Sequence, residues 1–248
     1  MSSARRPRVV ILPDETAVAR ALAGRIADAI GRNPRLVLGL PTGRTPIELY
    51  RELVALHEKG RADFSQVTTF NLDEFCGLPP ADAGSYRSFM DRHLLAHVNV
   101  TPGRVNFLNG AAPDADAECV RYEDAIARAG GIDLQVLGIG TNGHIGFNEP
   151  ARELHARTHR VTLKPETRRS NARLFGGDPA KVPAEALSMG MATILAARRI
   201  VLVATGAAKA SCIERVINGG VTTEVPASFL QLHADAELMV DESAAREL

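Results

Sequence analysis

The stretch "LGLPTGRTPIELYREL", residues 38–53, indicates how this chain folds. An apolar run ends in a turn that contains Gly43, and a segment with apolar residues at helical spacing follows directly. Thr45 and Glu48 match the S/T-x-x-E capping box, and Pro46 would occupy the first helical position. The stretch therefore predicts a strand, a tight turn and an amphipathic helix, which is the repeating unit of a parallel sheet.

The same turn is suited to an anion. The amides of Gly43, Arg44 and Thr45 would crowd at the positive end of the helix dipole, which favours a phosphate or a carboxylate. No Lys-Ser or Lys-Thr follows, so the turn is not a Walker motif. An ordinary strand-to-helix turn with a good cap explains these residues equally well.

Composition limits the class of protein. The 248 residues are 45% hydrophobic and 23% charged, which suits one domain over residues 1–248. With 29 acidic and 29 basic residues the net charge is zero, so we expect no nucleic-acid or membrane partner. The early apolar run is too short for a signal peptide, and no run is long enough to span a bilayer. Three cysteines without a C-x-x-C pair fit reduced thiols, so we expect a cytoplasmic protein.

Short aliphatic runs alternate with segments of helical period. Strands are predicted at Arg8–Leu12, Arg35–Leu40, Val67–Leu72, Val105–Leu108, Ile132–Ile139, Arg160–Leu163, Ile200–Ala204 and Glu237–Val240. Helices are predicted at Thr16–Ile30, Pro46–His57, Tyr86–His97, Ala115–Ala129 and Ala207–Ile217. This alternation indicates an α/β fold in a single domain: a doubly wound, mostly parallel, Rossmann-like sheet with helices on both faces.

The segment 151–183 breaks the pattern. Arginines cluster there, apolar residues become sparse, and "GGDP" interrupts any helix. It is interpreted either as a mobile flap over a site or as a long surface connection.

In "TFNLDEF", Asp73 and Glu74 come just after a predicted strand, on the rim where α/β sheets bind ligands. Adjacent carboxylates repel each other, which raises the pKa of at least one and makes it a candidate general base. The alternative is a turn in which Asp73 accepts hydrogen bonds from backbone amides.

The loop "LGIGTNGHIGFNEP", residues 137–150, carries two signals. Its glycines reproduce the G-x-G-x-x-G spacing of dinucleotide-binding loops, at Gly138, Gly140 and Gly143. Such a site needs a helix directly after the third glycine, whereas Gly146 and Pro150 oppose one here. We interpret the match as accidental and expect no nucleotide cofactor.

The second signal in this loop is His144 with Asn142 and Glu149. A histidine titrates near neutrality, and a carboxylate can fix its tautomer, so the set predicts a proton shuttle. A lone histidine in a loop is also compatible with a plain surface residue. His93 and His97 share a helix face but lack a third ligand, so we expect a pair beside the core and no metal site.

Five motifs together resemble one family in order and spacing, over nearly the whole chain. They are "LGLPTGRTP", "FNLDEFCGLP", "GIGTNGHIGFNEP", "TGAAKA" and "SFLQLH". The chain resembles the glucosamine-6-phosphate deaminases, of the glucosamine/galactosamine-6-phosphate isomerase family. The resemblance implies a doubly wound α/β enzyme without a cofactor. Its substrate would be an amino-sugar phosphate, glucosamine 6-phosphate, which loses ammonia and becomes fructose 6-phosphate.

The resemblance also implies roles for single residues. Asp73 matches the base that moves a proton from C2 to C1, His144 the acid and base of ring opening, and Glu149 the carboxylate that works with it. Substrate and phosphate contacts fall on Thr42, Gly43, Arg44, Thr45, Gly138, Arg173 and Lys209.

Two departures from the family pattern limit this transfer. Asn142 stands where some members have Asp, and a neutral amide orients a partner but carries no charge, so we expect an orienting role. Some relatives are activated by N-acetylglucosamine 6-phosphate through a basic and hydroxyl cluster. Those positions here are Arg152, His159 and Val161, so we expect no such activation.

Two alternative functions stay open. A 6-phosphogluconolactonase resembles the chain in fold and phosphate turn, but its D-E-R and G-H-x-x-x-L-F-P motifs differ from "DEF" and "GHIGFNEP" here. A sugar-phosphate-sensing module without turnover is the other alternative. A homo-oligomer is compatible with the sequence, which fixes neither the number of subunits nor the preference between gluco and galacto sugars.

Overall fold

The computed structural model describes residues 7–248. Its strands are β1 (Arg8–Leu12), β2 (Val37–Leu40), β3 (Thr68–Asn71), β4 (Asp73–Phe75), β5 (Val105–Asn106), β6 (Leu134–Leu137), β7 (His159–Thr162), β8 (Glu185–Ser188), β9 (Arg199–Ala204) and β10 (Ala236–Asp241). Its α-helices are α1 (Glu15–Arg32), α2 (Pro46–Glu58), α3 (Tyr86–His93), α4 (Ala115–Arg128), α5 (Pro165–Asn171), α6 (Met191–Leu195) and α7 (Ala210–Asn218). None of the helices in these residues has the length and apolar character needed to cross a bilayer.

Seven strands form a parallel sheet in the order β1-β10-β9-β6-β2-β3-β5. The chain moves outward from β2 to β3 and β5, then returns to the other side of β2 at β6 and continues to β9 and β10. The direction of winding therefore reverses between β2 and β6. Ligands of open α/β sheets bind at the carboxyl ends of the strands beside such a reversal.

Helices cover both faces of this sheet, as the alternation of side chains along β9 shows. Ile200 and Leu202 pack in the apolar cluster that includes α4, α6 and α7. Val201 and Val203 point the other way, into the cluster that includes α1, α2 and α3. The predicted doubly wound α/β fold is confirmed.

A second, antiparallel sheet in the order β4-β8-β7 is joined to the first at Leu72. The amide of Leu72 donates to the carbonyl of Leu40 in the main sheet, at 3.2 Å. Its carbonyl accepts from the amide of Met189, just after β8, at 2.8 Å. The chain thus passes from β3 into β4 with Asp73 as its first residue, where the sequence predicted only the rim of a strand.

The capping box predicted at Thr45 is wrong. Thr45 already has helical backbone angles, φ −57° and ψ −42°, and its side chain makes no capping hydrogen bond. A capping side chain reaches the helix amides only from an extended residue, which explains why the box does not form. Glu48 pairs with Arg51 instead. Pro46 begins α2 as predicted.

The segment 151–183 contains β7, α5 and two short 3₁₀ helices. A third apolar cluster lies under it and includes Phe75, Phe147, Leu163 and Val182. The segment is therefore built on the small sheet and packed against the molecule, and its mobility stays a prediction.

Gly110 tests how closely the chain packs against β4. A Cβ at Gly110 would lie 1.9 Å from the carbonyl oxygen of Phe75, a backbone atom that cannot turn aside. We expect Gly110→Ala to lower the free energy of unfolding by about 1–3 kcal/mol, measured by urea denaturation. Gly24 in α1 has open space around its Cβ position, so Gly24→Ala should raise it by about 0.5–1 kcal/mol. Equal stability of Gly110→Ala and the parent would contradict the close approach.

Candidate active site

A cleft of about 380 Å³ opens at the carboxyl ends of β2 and β6, where the winding reverses. This volume suits a small ligand. Nine of the predicted site residues line it: Thr42, Gly43, Arg44, Thr45, Asp73, Gly138, Asn142, His144 and Lys209. Of the other two, Glu149 lies behind His144 and Asn142, and Arg173 is exposed on the 3₁₀ helix Ala172–Phe175, outside the cleft lining.

Asp73 brings a buried carboxylate to the cleft. Asp73 is 7% exposed, and its Oδ1 has no hydrogen-bond partner among the described residues. Burial, and then the charge of Glu74, raise the pKa of Asp73 to about 8. A carboxylate with this pKa can take up and release a proton near neutral pH, which is what a general base requires.

Glu74 points away from Asp73 and has a structural task. Its carboxylate accepts hydrogen bonds from the backbone amides of Phe75, Tyr86 and Arg87, at 2.8–2.9 Å. Two of these amides belong to the first turn of α3, whose dipole favours a negative charge there. Burial raises the pKa of Glu74 to about 7, and the amide bonds oppose the rise. The alternative in which Asp73 accepts hydrogen bonds from backbone amides is therefore wrong. It is Glu74 that accepts them.

His144, Asn142 and Glu149 come together in the loop after β6. The Nδ1 of His144 lies 3.3 Å from Oε1 of Glu149, within ion-pair distance but without hydrogen-bond geometry. Asn142 holds both partners: its Oδ1 accepts from the amide of His144 at 3.2 Å, and its Nδ2 donates to Oε2 of Glu149 at 2.7 Å. Catalytic contacts of this kind often tighten only when substrate is bound.

Glu149 is held in its charged form. Burial disfavours the charge, but the nearby imidazole of His144, together with hydrogen bonds from Thr167 and Asn142, outweighs it and lowers the pKa of Glu149 to about 2. The pKa values of Glu149 and Asp73 are therefore shifted in opposite directions. Such a separation of pKa values is typical of sites that divide acid–base work between two groups.

The glycines of the same loop make room for these side chains. A Cβ at Gly140 would lie 2.2 Å from the imidazole of His144. Gly143 has φ +94°, a left-handed conformation that glycine adopts without strain. Residues 141–150 form turns and bridges rather than a helix. The dinucleotide spacing is thus met by glycines with other tasks, which agrees with the interpretation that the match is accidental.

The cleft also contains positive charge. The turn before α2 presents Arg44, and the Nζ of Lys209 donates to the carbonyl of Ile139 at 2.7 Å. Burial lowers the pKa of Lys209, the charge of Arg44 adds to this, and Cys212 opposes it. Two cations held close together beside a helix N-terminus favour an anionic ligand.

Sequence reasoning missed the contribution of α5. Thr167, Ser170 and Asn171 line the cleft, and Asn171 accepts a hydrogen bond from the hydroxyl of Tyr86 at 3.0 Å. Their spacing of i, i+3 and i+4 puts these polar side chains on one helix face. This spacing of polar residues could have indicated the helix from the sequence. The arginine-rich segment has no apolar stripe, however, so no helix was predicted there.

Within residues 7–248, no group of three or more His, Cys, Asp or Glu side chains could hold a metal ion. His93 packs on the ring of Phe89, with centroids 4.5 Å apart. The Nε2 of His97 lies 2.9 Å from the carbonyl oxygen of Arg92.

This fold and site are typical of α/β enzymes that perform acid–base chemistry on a small anionic molecule. The model of the family described as glucosamine-6-phosphate isomerases/6-phosphogluconolactonase matches residues 14–240. A protein named glucosamine-6-phosphate deaminase from Halothermothrix orenii is 48% identical over 96% of this chain and 98% of its own length. The chain belongs to the glucosamine-6-phosphate isomerase/6-phosphogluconolactonase family.

Solved structures separate the two branches of this family. A structure described as a monomeric glucosamine-6-phosphate deaminase is 41% identical, with a TM-score of 0.93, over 97% of this chain and 100% of that one. A 6-phosphogluconolactonase from Trypanosoma cruzi is 19% identical, with a TM-score of 0.78, over 98% and 97%. At that identity the lactonase shares the fold alone.

The raised pKa of Asp73 predicts a stability effect with a defined sign. The folded state prefers the protonated acid, so the parent loses stability as the pH rises from about 4 to about 8. Asp73→Asn keeps the side chain neutral at every pH. We expect its melting temperature to equal that of the parent near pH 4 and to exceed it increasingly up to pH 9, by differential scanning fluorimetry.

Asp63 provides the control of opposite sign. Hydrogen bonds from Ser65 and Asn99 lower its pKa, so its charge stabilises the fold above pH 4. Asp63→Asn should therefore be less stable than the parent above pH 4. A constant difference between Asp73→Asn and the parent across this range would contradict a buried, poorly solvated Asp73.

Proposed function

We propose that this protein is a glucosamine-6-phosphate deaminase, which converts glucosamine 6-phosphate and water to fructose 6-phosphate and ammonia. One observation carries the proposal: the buried carboxylate of Asp73, whose Oδ1 has no hydrogen-bond partner, shares a cleft with the imidazole of His144, behind which lies the carboxylate of Glu149. The reaction needs two separate proton-transfer groups, one for ring opening and one for isomerisation, and the cleft contains both.

The phosphate of the substrate is proposed to bind at the turn before α2. The amides of Gly43, Arg44 and Thr45 lie at the start of this helix, and the side chains of Arg44 and Lys209 add positive charge. Thr42 and Gly138 line the adjoining wall. This placement leaves the sugar carbons toward Asp73 and His144.

Ring opening is the first proposed step. The pyranose hides its carbonyl, so a proton must leave the C1 hydroxyl and another must reach the ring oxygen before the C2 proton becomes acidic. His144 is proposed to carry out this exchange, with Glu149 stabilising the imidazolium. Asn142, which contacts both, orients them.

Isomerisation and loss of ammonia follow. The ionised carboxylate of Asp73 takes the proton from C2 of the open aldehyde and gives it back at C1. The aldehyde oxygen gains a proton and becomes the C1 hydroxyl, the amino nitrogen loses one, and the double bond moves to C2 and this nitrogen. Water adds to the resulting imine carbon, and the nitrogen leaves as ammonia. Asp73 ends the cycle ionised, as it began, and no electron acceptor is required.

Segment 151–183 is proposed to close over the bound substrate. Its helix α5 already lines the cleft through Thr167, Ser170 and Asn171. Arg173 lies just beyond this helix and outside the cleft lining, so a contact between Arg173 and the phosphate requires the segment to move. Assembly as a homo-oligomer and a cytoplasmic location stay predictions.

Product release tests the function. We expect matched release of ammonia and fructose 6-phosphate from glucosamine 6-phosphate, with no metal or nucleotide added. Asp73→Asn and His144→Gln should each lose about 10²- to 10⁴-fold in kcat, because each removes one positioned acid or base. Binding without turnover in the parent would support the sensing module, and hydrolysis of 6-phosphogluconolactone would support the lactonase.

Hydrogen exchange tests the flap. On addition of a non-reacting sugar phosphate, we expect amides of 164–182 to become more protected, because closure excludes water from α5 and the following 3₁₀ helices. The amides of α1, none of whose residues lines the cleft, serve as the internal reference. Unchanged protection of 164–182 under saturating ligand would count against a closing segment.

A further inference from the structure

Thr167 connects helix α5 directly to the His144–Glu149 pair. Its hydroxyl donates a hydrogen bond to Oε1 of Glu149, and the residue is only 5% exposed. Glu149 belongs to the loop after β6, whereas Thr167 belongs to the segment proposed to close over the cleft. This buried bond therefore joins two parts of the site that are 18 residues apart in the chain.

The oxygen that Thr167 contacts is the one that faces the histidine. Oε1 of Glu149 lies 3.3 Å from Nδ1 of His144, while Oε2 accepts from Asn142. A carboxylate oxygen has two lone pairs and can accept from Thr167 and His144 together. With a hydrogen bond to Oε2 alone, the carboxylate of Glu149 could rotate about its Cγ–Cδ bond. The hydroxyl of Thr167 holds Oε1 in the direction of the imidazole.

The position of Thr167 is in turn determined by the packing of α5. Asn171, one turn further along the helix, accepts from the hydroxyl of Tyr86 at 3.0 Å. Arg168 donates from Nε to the carbonyl of Val182 at 3.1 Å. The Thr167 hydroxyl also helps to keep Glu149 charged, since it is among the groups that lower the pKa of this carboxyl.

We propose that Thr167 is a positioning residue for ring opening, which holds Oε1 of Glu149 toward His144 and makes this pair depend on the placement of α5. The inference rests on the proposed deaminase function. It assigns no proton transfer to Thr167 itself, which acts through Glu149.

Steady-state kinetics of Thr167→Val test this role, because valine keeps the shape of the side chain and removes the hydroxyl. We expect kcat for ammonia release to fall about tenfold or more, as one hydrogen bond to a charged group is lost. KM should stay within about twofold. Thr167→Ala, a second variant without the hydroxyl, should lose kcat similarly, and Thr167→Ser should restore it to near the parent value.

An open-chain ligand separates positioning from binding. The amino-alditol phosphate 2-amino-2-deoxyglucitol 6-phosphate cannot cyclise, so its affinity does not depend on ring opening. We expect the parent and Thr167→Val to bind it within about twofold of each other. A merely structural effect that disturbs the cleft would weaken this binding together with turnover.

Thr193 offers a matched control outside the cleft. Its hydroxyl also donates to a carboxylate oxygen, Oε1 of Glu123, and it is also buried. Thr193→Val should lose stability comparable to Thr167→Val while its kcat stays within about twofold of the parent. This comparison separates loss of positioning from general loosening of the fold.

The outcomes are distinct. An unchanged or increased kcat in Thr167→Val would overturn the inference, since the hydroxyl would then be dispensable or would compete with His144. Failure of Thr167→Ser to recover kcat, or parallel loss of open-chain binding, would also overturn it. Absence of ammonia release from the parent would reject the proposed function itself and this role with it. Loss of kcat in Thr167→Val and Thr167→Ala, with a fully active parent, Thr167→Ser and Thr193→Val, supports the role.

Discussion

The two hydrogen bonds of Leu72 hold the site together. Its amide is bonded to the main sheet and its carbonyl to the strand region of the small sheet, so this residue cannot turn without losing one of them. The next residue, Asp73, is therefore directed into the cleft although its carboxylate finds neither a cation nor a hydrogen-bond donor for Oδ1 among residues 7–248. The high pKa of Asp73 is a consequence of this enforced burial, which the pairing of two sheets stabilises.

Three carboxylates near the cleft show how position decides chemistry. Asp73 and Glu74 are neighbours on β4, and the alternation of a strand sends them to opposite sides. Glu74 meets the amides at the start of α3, whereas Asp73 meets the cleft. Glu149, also buried, meets hydrogen-bond donors and a histidine and stays charged. The same functional group thus has a raised pKa in the cleft at Asp73, accepts helix amides at Glu74 and keeps its charge at Glu149.

Sequence patterns predicted the features that depend on neighbours in the chain. The unit from β2 to α2 and the alternation of strands and helices follow from local periodicity. Nine of the residues that line the cleft follow from the motifs and the resemblance they carry. β4 and β8 were missed because they owe their conformation to pairing with each other, across more than a hundred residues of chain, which no local pattern shows. The capping box was predicted wrongly because the motif does not determine the backbone angles of Thr45. Helix α5 was not predicted because it lacks an apolar stripe.

The third apolar cluster links the two sides of the site in a further way. Phe75 comes two residues after Asp73, Phe147 lies between His144 and Glu149, and both rings contact the ring of Tyr86 on α3. A substitution that reshapes one of these rings is transmitted to the base and to the histidine loop together. Substitutions that change substrate preference in this scaffold are therefore expected to be epistatic. The effect of changing one of these aromatic residues should depend on which residues occupy the other aromatic positions.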